Sequence, residues 1–204
     1  MTKNKNQIAI FLAARSGSRR LPNKHFLKIQ SNLRIIDLCI LRLKKSKLVN
    51  KIFLCTTKKR EDDRFENVCK LHKIKLFRGS TNDVAKRIID CANKNSINII
   101  VRITADCPLI DTNIIDRCIK LHLRKNNDYT SNVLELSFPD GLDVEIINLD
   151  ALIKSQSISK GKLNKEHVTL FVKKSKLFKK FNYKSIKNYS NRRWTIDYLK
   201  DFFY

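Results

Sequence analysis

Short apolar runs alternate with longer amphipathic stretches through the first half of the chain. Runs rich in Ile, Val, Leu and Phe predict strands at Ile8–Ala13, Lys51–Thr56, Lys75–Phe77 and Asn98–Ile103. Between them the apolar positions recur at helical spacing, which predicts helices at Leu33–Ser46, Glu61–His72 and Thr81–Lys94. In the first of these, Ile36, Ile40 and Leu43 form a core-facing stripe. A further helix is expected at Thr112–Arg124. Beyond Asp128 the pattern loosens: "DYTSN" reads as a strand running into a loop, "FPDG" as a turn and "LDVEII" as an alternating strand. Helical stretches follow at Leu149–Ser157 and Asn164–Val172, then short strands near Phe181–Ile186 and Arg193–Ile196. Strand and helix in alternation predict an α/β fold, a mostly parallel sheet with helices on both faces.

In such sheets ligands bind beyond the carboxyl ends of the strands. That rule nominates three segments: "ARSGSRRLPNK" after the first strand, "RITADCPLID" at the fourth, and "RRWTID", which ends at Asp197. Composition then narrows the class. The 204 residues suit one domain, 1–204, and the 42% hydrophobic and 30% charged content is that of a folded globule. No apolar run reaches the ~20 residues of a membrane span, and the start lacks the apolar segment of a signal peptide, so a cytoplasmic protein is expected. Six cysteines without a C-x-x-C pair argue for reduced thiols and against a zinc site. The formal charge of +24 is unusual, and half of it lies between Lys154 and Arg193, where thirteen Lys or Arg face only Glu166. Such a surface suits an anionic substrate or a nonenzymatic role on nucleic acid or another polyanion, and equally a lysine-rich composition spread over solvated faces.

The loop after the first strand groups Arg15, Arg19, Arg20 and Lys24 around Ser16, Gly17 and Ser18, with no acid before Asp37. It is neither a dinucleotide fingerprint nor a P-loop, yet its N–H groups and cations suit a phosphate. A basic surface loop is the rival reading. Asp106 stands where the fourth apolar run stops, before Pro108, and would serve as a magnesium ligand or as a turn cap. Asp143 and Glu145 share one face of an alternating strand and touch either an acceptor, a metal or solvent. Glu166 and His167 are neighbours in "KEHVT", where His167 could orient or deprotonate an acceptor hydroxyl. Arg102 points toward the crevice mouth. Arg87 is a site candidate whose alternative is a surface ion pair with Asp83 at i, i+4.

These segments resemble a known family. "AARSGSRRLPNK" resembles the "ARxxSxRLPGK" loop of the cytidylyltransferases that activate acidic sugars, including the KDO and acylneuraminate enzymes. "FRGSTNDVAKR", "VRITADCPLID", "DYTSN", "FPDGLDVEI" and "KEHVT" follow in the order of its spore-coat-polysaccharide branch, and the likeness spans Ala13 to about Asp201. The resemblance implies a Rossmann-like, GT-A-like nucleotidyltransferase domain that uses CTP and Mg²⁺ to make a CMP-sugar for surface polysaccharide, with another nucleotide or sugar phosphate as the close alternative. It implies nucleotide contacts from Ala14, Arg15, Ser16, Gly17, Ser18, Arg20, Lys24, Arg102 and Thr104. Arg15, Lys24 and Asp106 would be catalytic, Asp106 and Asp197 would hold the metal, and Arg87, Asp143, Glu145, Glu166 and His167 would meet the acceptor. A homodimer is a further expected partner. Two departures stand out: Asn23 replaces the glycine of "LPGK", and the chain stops at Tyr204, sooner than related chains.

Overall fold

Strand β1 (Ile8–Ala13) has four consecutive residues, Ala9 to Leu12, sealed from solvent. An uninterrupted apolar run of this kind belongs to a strand covered on both faces, and β1 lies inside the sheet of the computed structural model, which describes residues 7–203 apart from 19, 31 and 160. The chain continues through a small hairpin, β2 (Lys28–Gln30) and β3 (Leu33–Arg34), into α1 (Ile35–Leu43). It then alternates: β4 (Ile52–Thr57), α2 (Arg64–Leu71), β5 (Lys75–Gly79), α3 (Val84–Lys94), β6 (Ile99–Thr104), α4 (Thr112–Lys125). The second half adds β7 (Tyr129–Ser131), β8 (Glu145–Asn148), α5 (Leu149–Ile158), α6 (Lys162–Glu166), α7 (Leu170–Lys174) and β9 (Lys180–Asn182).

The seven-stranded sheet has the order β5-β4-β1-β6-β8-β7-β9, and only β8 runs against the others. Alternation along β1 sorts the core into two layers. Ile10 and Leu12 pack with Ile36 and Ile40 of α1, Phe65 of α2 and Ile115 of α4. Ala9 and Phe11 pack with Ile88 of α3, Leu152 of α5 and Val172 of α7 on the other face. The expected α/β sheet with helices on both faces is therefore present.

The departures from the expected elements have local causes. The third helix starts at Val84 rather than Thr81 because Asp83 caps it, accepting from the Lys86 N–H at 2.8 Å. The strand expected over "LDVEII" begins only at Glu145. Ahead of it, the Asn132 side chain stands in for a backbone partner, accepting from Val144 N–H at 2.8 Å and donating to the Leu142 carbonyl at 2.8 Å. The helix expected at Asn164–Val172 breaks between α6 and α7, where Val168 takes a left-handed φ of 47°, a costly conformation for a β-branched residue. Arg193–Ile196 is not a strand. It is an extended segment whose backbone docks on Asp140, with Trp194 N–H donating to the Asp140 carbonyl at 2.6 Å and Asp140 N–H to the Arg192 carbonyl at 3.0 Å.

That docking requires Gly141, which has φ of 108° and would place a Cβ 2.6 Å from the Thr195 nitrogen and from the Trp194 carbonyl carbon. Gly141→Ala is therefore expected to push the 192–197 segment off the sheet and cost about 2–4 kcal/mol, seen as a lower urea midpoint.

Candidate active site

The loop leaving β1 is folded back on itself by Ser16. Its carbonyl accepts from the N–H groups of Ser18 at 2.8 Å and Asn23 at 3.1 Å. Its own N–H donates to Asp62 at 2.7 Å, and its hydroxyl donates to the Glu61 carbonyl at 3.0 Å. Asp62 is the buried post of this loop, also accepting from the Thr57 hydroxyl. Burial raises its carboxyl, but the Thr57 hydroxyl and the Ser16 N–H outweigh burial and hold it below the usual range. Sequence reasoning missed Asp62, which sits in "REDDR" and looks like one acid of a solvated helix start. Asn23 adopts φ 57°, ψ 18°, the left-handed conformation that its place in the loop demands. One 3₁₀ turn, Lys24–Phe26, follows and directs Lys24 and His25 inward.

Buried Lys24 reaches the end of β6. Its Nζ donates to Asp106 Oδ2 at 2.7 Å and to Asp197 Oδ1 at 2.9 Å. Asp197 reaches this point because the segment before it binds the backbone of Asp106: the Ile196 N–H and the Thr195 hydroxyl both donate to the Asp106 carbonyl, at 2.8 and 3.2 Å. Asp201 then accepts from the N–H groups of Asp197 and Tyr198. Arg20 lies 2.6 Å from Asp197, and Arg193 spans Asp140, Asp197 and Asp201. Burial raises the Asp106 carboxyl, but the Lys24 ammonium holds it below the ordinary value. For Asp197, burial is likewise outweighed by hydrogen bonds from Arg20 and Lys24, and its carboxyl falls to about 2. His25, beneath the loop, is lowered by burial to about 4 and is neutral at pH 7, its Nδ1 donating to the Ala105 carbonyl at 3.2 Å.

The donor set fits a magnesium ion. Two hard carboxylate oxygens, from Asp106 and Asp197, already share one positive centre, and three cationic groups (Lys24, Arg20, Arg193) face four carboxylates (Asp106, Asp140, Asp197, Asp201). No group of three potential metal ligands occurs among the described residues, so remaining ligands must come from substrate oxygens or water, the usual arrangement for Mg²⁺.

The other expected site residues separate into two sets. Arg15, Ser16, Gly17, Ser18, Arg20, Lys24 and Thr104 gather at the carboxyl ends of β1 and β6, while Arg19 lies outside the described residues. Ala14 is buried there. Thr104 contacts the Cys107 thiol at 3.3 Å, next to Asp106. Arg15 is half exposed and lies 3.4 Å from Glu166 of α6, which brings "KEHVT" over the loop; His167 is exposed beside it.

Lys24 is not an open phosphate ligand: it is committed to the two aspartates. Arg102 and Glu145 are not free for a ligand either. They form a buried ion pair, and Glu145 also accepts from Tyr129 at 2.6 Å, Thr169 at 2.5 Å and Lys173 at 2.8 Å. Burial raises the Glu145 carboxyl, but Arg102 and Lys173 bring it to about 2. Glu145 is thus a structural hub rather than an acceptor contact. Arg87 makes no ion pair with Asp83. Its buried guanidinium donates to the Ser80 carbonyl at 2.9 and 2.7 Å, holding the loop after β5.

Comparisons with known proteins identify the family and the fold. The cytidylyltransferase family model matches residues 9–202. The spore coat polysaccharide biosynthesis protein SpsF of Bacillus subtilis (strain 168) is 31% identical over 173 residues, 82% of this chain and 70% of that protein. A solved cytidylyltransferase from Leptospira borgpetersenii serovar Hardjo-bovis superposes with a TM-score of 0.93 at 35% identity, covering 97% of this chain and 84% of that one. A solved CMP:2-keto-3-deoxy-manno-octonic acid synthetase complexed with CTP shares the fold, with a TM-score of 0.65 at 13% identity over 88% of this chain and 90% of that one.

Removing Lys24 strands two carboxylates. Lys24→Met is expected to cost about 3–5 kcal/mol at pH 7, the range for breaking a buried pair. The depressed carboxyls of Asp197 and Glu145 contribute fully above pH ~4, where the unfolded groups are ionised, and lose that contribution as pH falls toward 2. Urea midpoints of the wild type should therefore decline from pH 4 to 2, and the gap to Lys24→Met should close over the same window.

Proposed function

Because the chain belongs to the cytidylyltransferase family, we propose that it transfers CMP from CTP to a hydroxyl of an acidic sugar, releasing pyrophosphate, in the synthesis of a surface polysaccharide. One observation carries the reading: Lys24, from the loop after β1, is bonded to both Asp106 and Asp197, so the phosphate-suited loop and the metal-suited acids form one site. The acidic acceptor and the polysaccharide role are supported by the motif resemblance and by the name of the SpsF relative.

The chain's own groups divide the work. Arg15, Arg20 and the Gly17 N–H bind the triphosphate, steered by the +24 net charge, while the Ser16 and Ser18 N–H groups hold the loop in shape. Each unit charge pair at ~4 Å is worth ~4 kcal/mol at an effective dielectric of ~20, so a few such contacts offset much of the phosphate charge. Arg87 positions the 80–81 loop beside them. Asp106 and Asp197 would hold Mg²⁺, with Lys24 keeping the two carboxylates at the shared point. When bound, the ion supplies Lewis-acid stabilisation of charge on the transferring phosphoryl group.

No helix among the described residues is long and apolar enough to cross a membrane. The six cysteines are free and buried, which suits a reducing compartment, and we place the activity in the cytoplasm. A homodimer belongs to the same proposal, and sedimentation of the purified chain as a dimer is the expected result.

The test is pyrophosphate release with each of the four nucleoside triphosphates against a panel of 2-keto-3-deoxy and nonulosonic acids. Release is expected with CTP and Mg²⁺ only, and Asp106→Ala should lower it by about 10³-fold or more. Release indifferent to the base, or surviving Asp106→Ala, overturns the proposal.

A further inference from the structure

Nucleotidyl transfer to a hydroxyl leaves one proton to be removed, and most acids near the site are already committed. Asp106 and Asp197 are bonded to Lys24, Asp140 and Asp201 are paired with Arg193, and Glu145 is paired with Arg102 and Lys173. Asp143 differs. Among the described residues it has no cation within ion-pair distance, although it is mostly buried.

Its position follows from the strand register. β6 and β8 are antiparallel and their ladder ends with Arg102 opposite Glu145, so Asp143, two residues before Glu145, and Thr104, two residues after Arg102, both leave the ladder at the same end of the sheet. Leu142, Val144 and Ile146 pack into the core with Val101 and Ile103, which turns Asp143 to the opposite face, shared with Arg102, Thr104 and Glu145. Thr104 touches Cys107, and Cys107 lies against Asp106. The Cys107 thiol, pushed up chiefly by burial and by Asp106, also feels the charge of Asp143. Asp143 thus stands at the sheet end where β6 delivers Asp106, with Cys107 close to both carboxylates.

We propose that Asp143 is the catalytic base that takes the proton of the attacking acceptor hydroxyl. The inference rests on the transferase reading above. In the step, the hydroxyl oxygen bonds to the α-phosphorus of CTP, the bond from that phosphorus to the pyrophosphate oxygen breaks, and the hydroxyl proton moves to the Asp143 carboxylate. The proton then passes to solvent, while CMP-sugar and pyrophosphate carry away the remaining atoms.

The electrostatics suit the role. Burial, then Asp140 from the preceding turn and Glu145 from β8, push the Asp143 carboxyl up to about 6, while Lys173 of α7 and the Gly141 N–H pull it down. A base in this range is ionised at neutral pH and still holds a proton well, whereas Asp197 and Glu145 at about 2 are poor acceptors. His167 is the alternative base from sequence, but it is exposed to solvent.

The experiment compares wild type, Asp143→Asn, Asp143→Glu and His167→Ala in pyrophosphate release, using CTP with 3-deoxy-manno-octulosonic acid and N-acetylneuraminic acid as acceptor probes. Asp143→Asn is expected to lower kcat by about 10²–10⁴-fold with an unchanged KM for CTP. It should also abolish an acid limb near pH 6 that the wild type and His167→Ala both show. Asp143→Glu should recover part of the rate. An unpaired carboxyl with a raised pKa destabilises the fold once ionised, so Asp143→Asn should also raise Tm at pH 8 and leave it unchanged at pH 4.

Full kcat in Asp143→Asn with the acid limb intact overturns this proposal alone, as does loss of the limb in His167→Ala. A rate loss accompanied by lower Tm and weakened CTP binding assigns Asp143 a structural role and likewise overturns it. Wild type that releases no pyrophosphate with either probe or with the wider acceptor panel fails the transferase reading, and the base assignment falls with it.

Discussion

A single ammonium group, that of Lys24, joins parts of the chain that are far apart in sequence. It lies between Asp106, at the end of β6, and Asp197, near the end of the chain, with both contacts under 3 Å. Two carboxylates converging in a half-buried site repel each other unless a positive charge lies between them, and Lys24 supplies it. The surrounding scaffold serves that convergence. Asp62 anchors the loop that presents Lys24, the Asp106 backbone anchors the strand-like segment that presents Asp197, and Gly141 leaves room for that segment to dock.

The charge distribution explains how a chain of net charge +24 can hold an acidic pocket. Around Asp197 the carboxylates outnumber the cations, while Arg15 and Arg20 of the loop reach Glu166 and Asp197 from partly exposed positions. Part of the basic stretch from Lys154 to Arg193 is committed to contacts within the chain. Lys173 enters the buried Glu145 hub, Lys180 donates to the Lys173 and Ser175 carbonyls, Lys179 donates to the Lys125 carbonyl, and Arg193 is bound to three aspartates. Several of these cations hold the C-terminal half together in place of a larger apolar core.

The Glu145 hub ties the late motif to the site. Thr169, which ends "KEHVT", and Lys173 both bind the carboxylate that pairs with Arg102 of β6. The left-handed Val168 lets α6 turn back so that Glu166 meets Arg15 while Thr169 still reaches Glu145. Motif order along the chain thus becomes adjacency around one crevice.

By itself the sequence determined the sheet and much of the loop. Continuous apolar runs identify strands covered on both faces, helical spacing places the layers, and strand endings point to Ser16, Lys24 and Asp106, because these signals are local and the binding crevice lies at strand ends. Asn23, in place of the family glycine, fits the loop because its side chain tolerates the left-handed conformation it adopts. Only the tertiary structure decided what each charged group is paired with. It made Lys24 a bridge rather than a phosphate contact, turned Glu145 and Arg102 into a buried hub, withdrew Arg87 from Asp83, raised Asp62 to an anchor and left Asp143 alone. The reason is physical: a side chain's charge is written in its residue type, but its partner, its burial and hence its proton affinity depend on groups many residues away that meet only when the sheet closes.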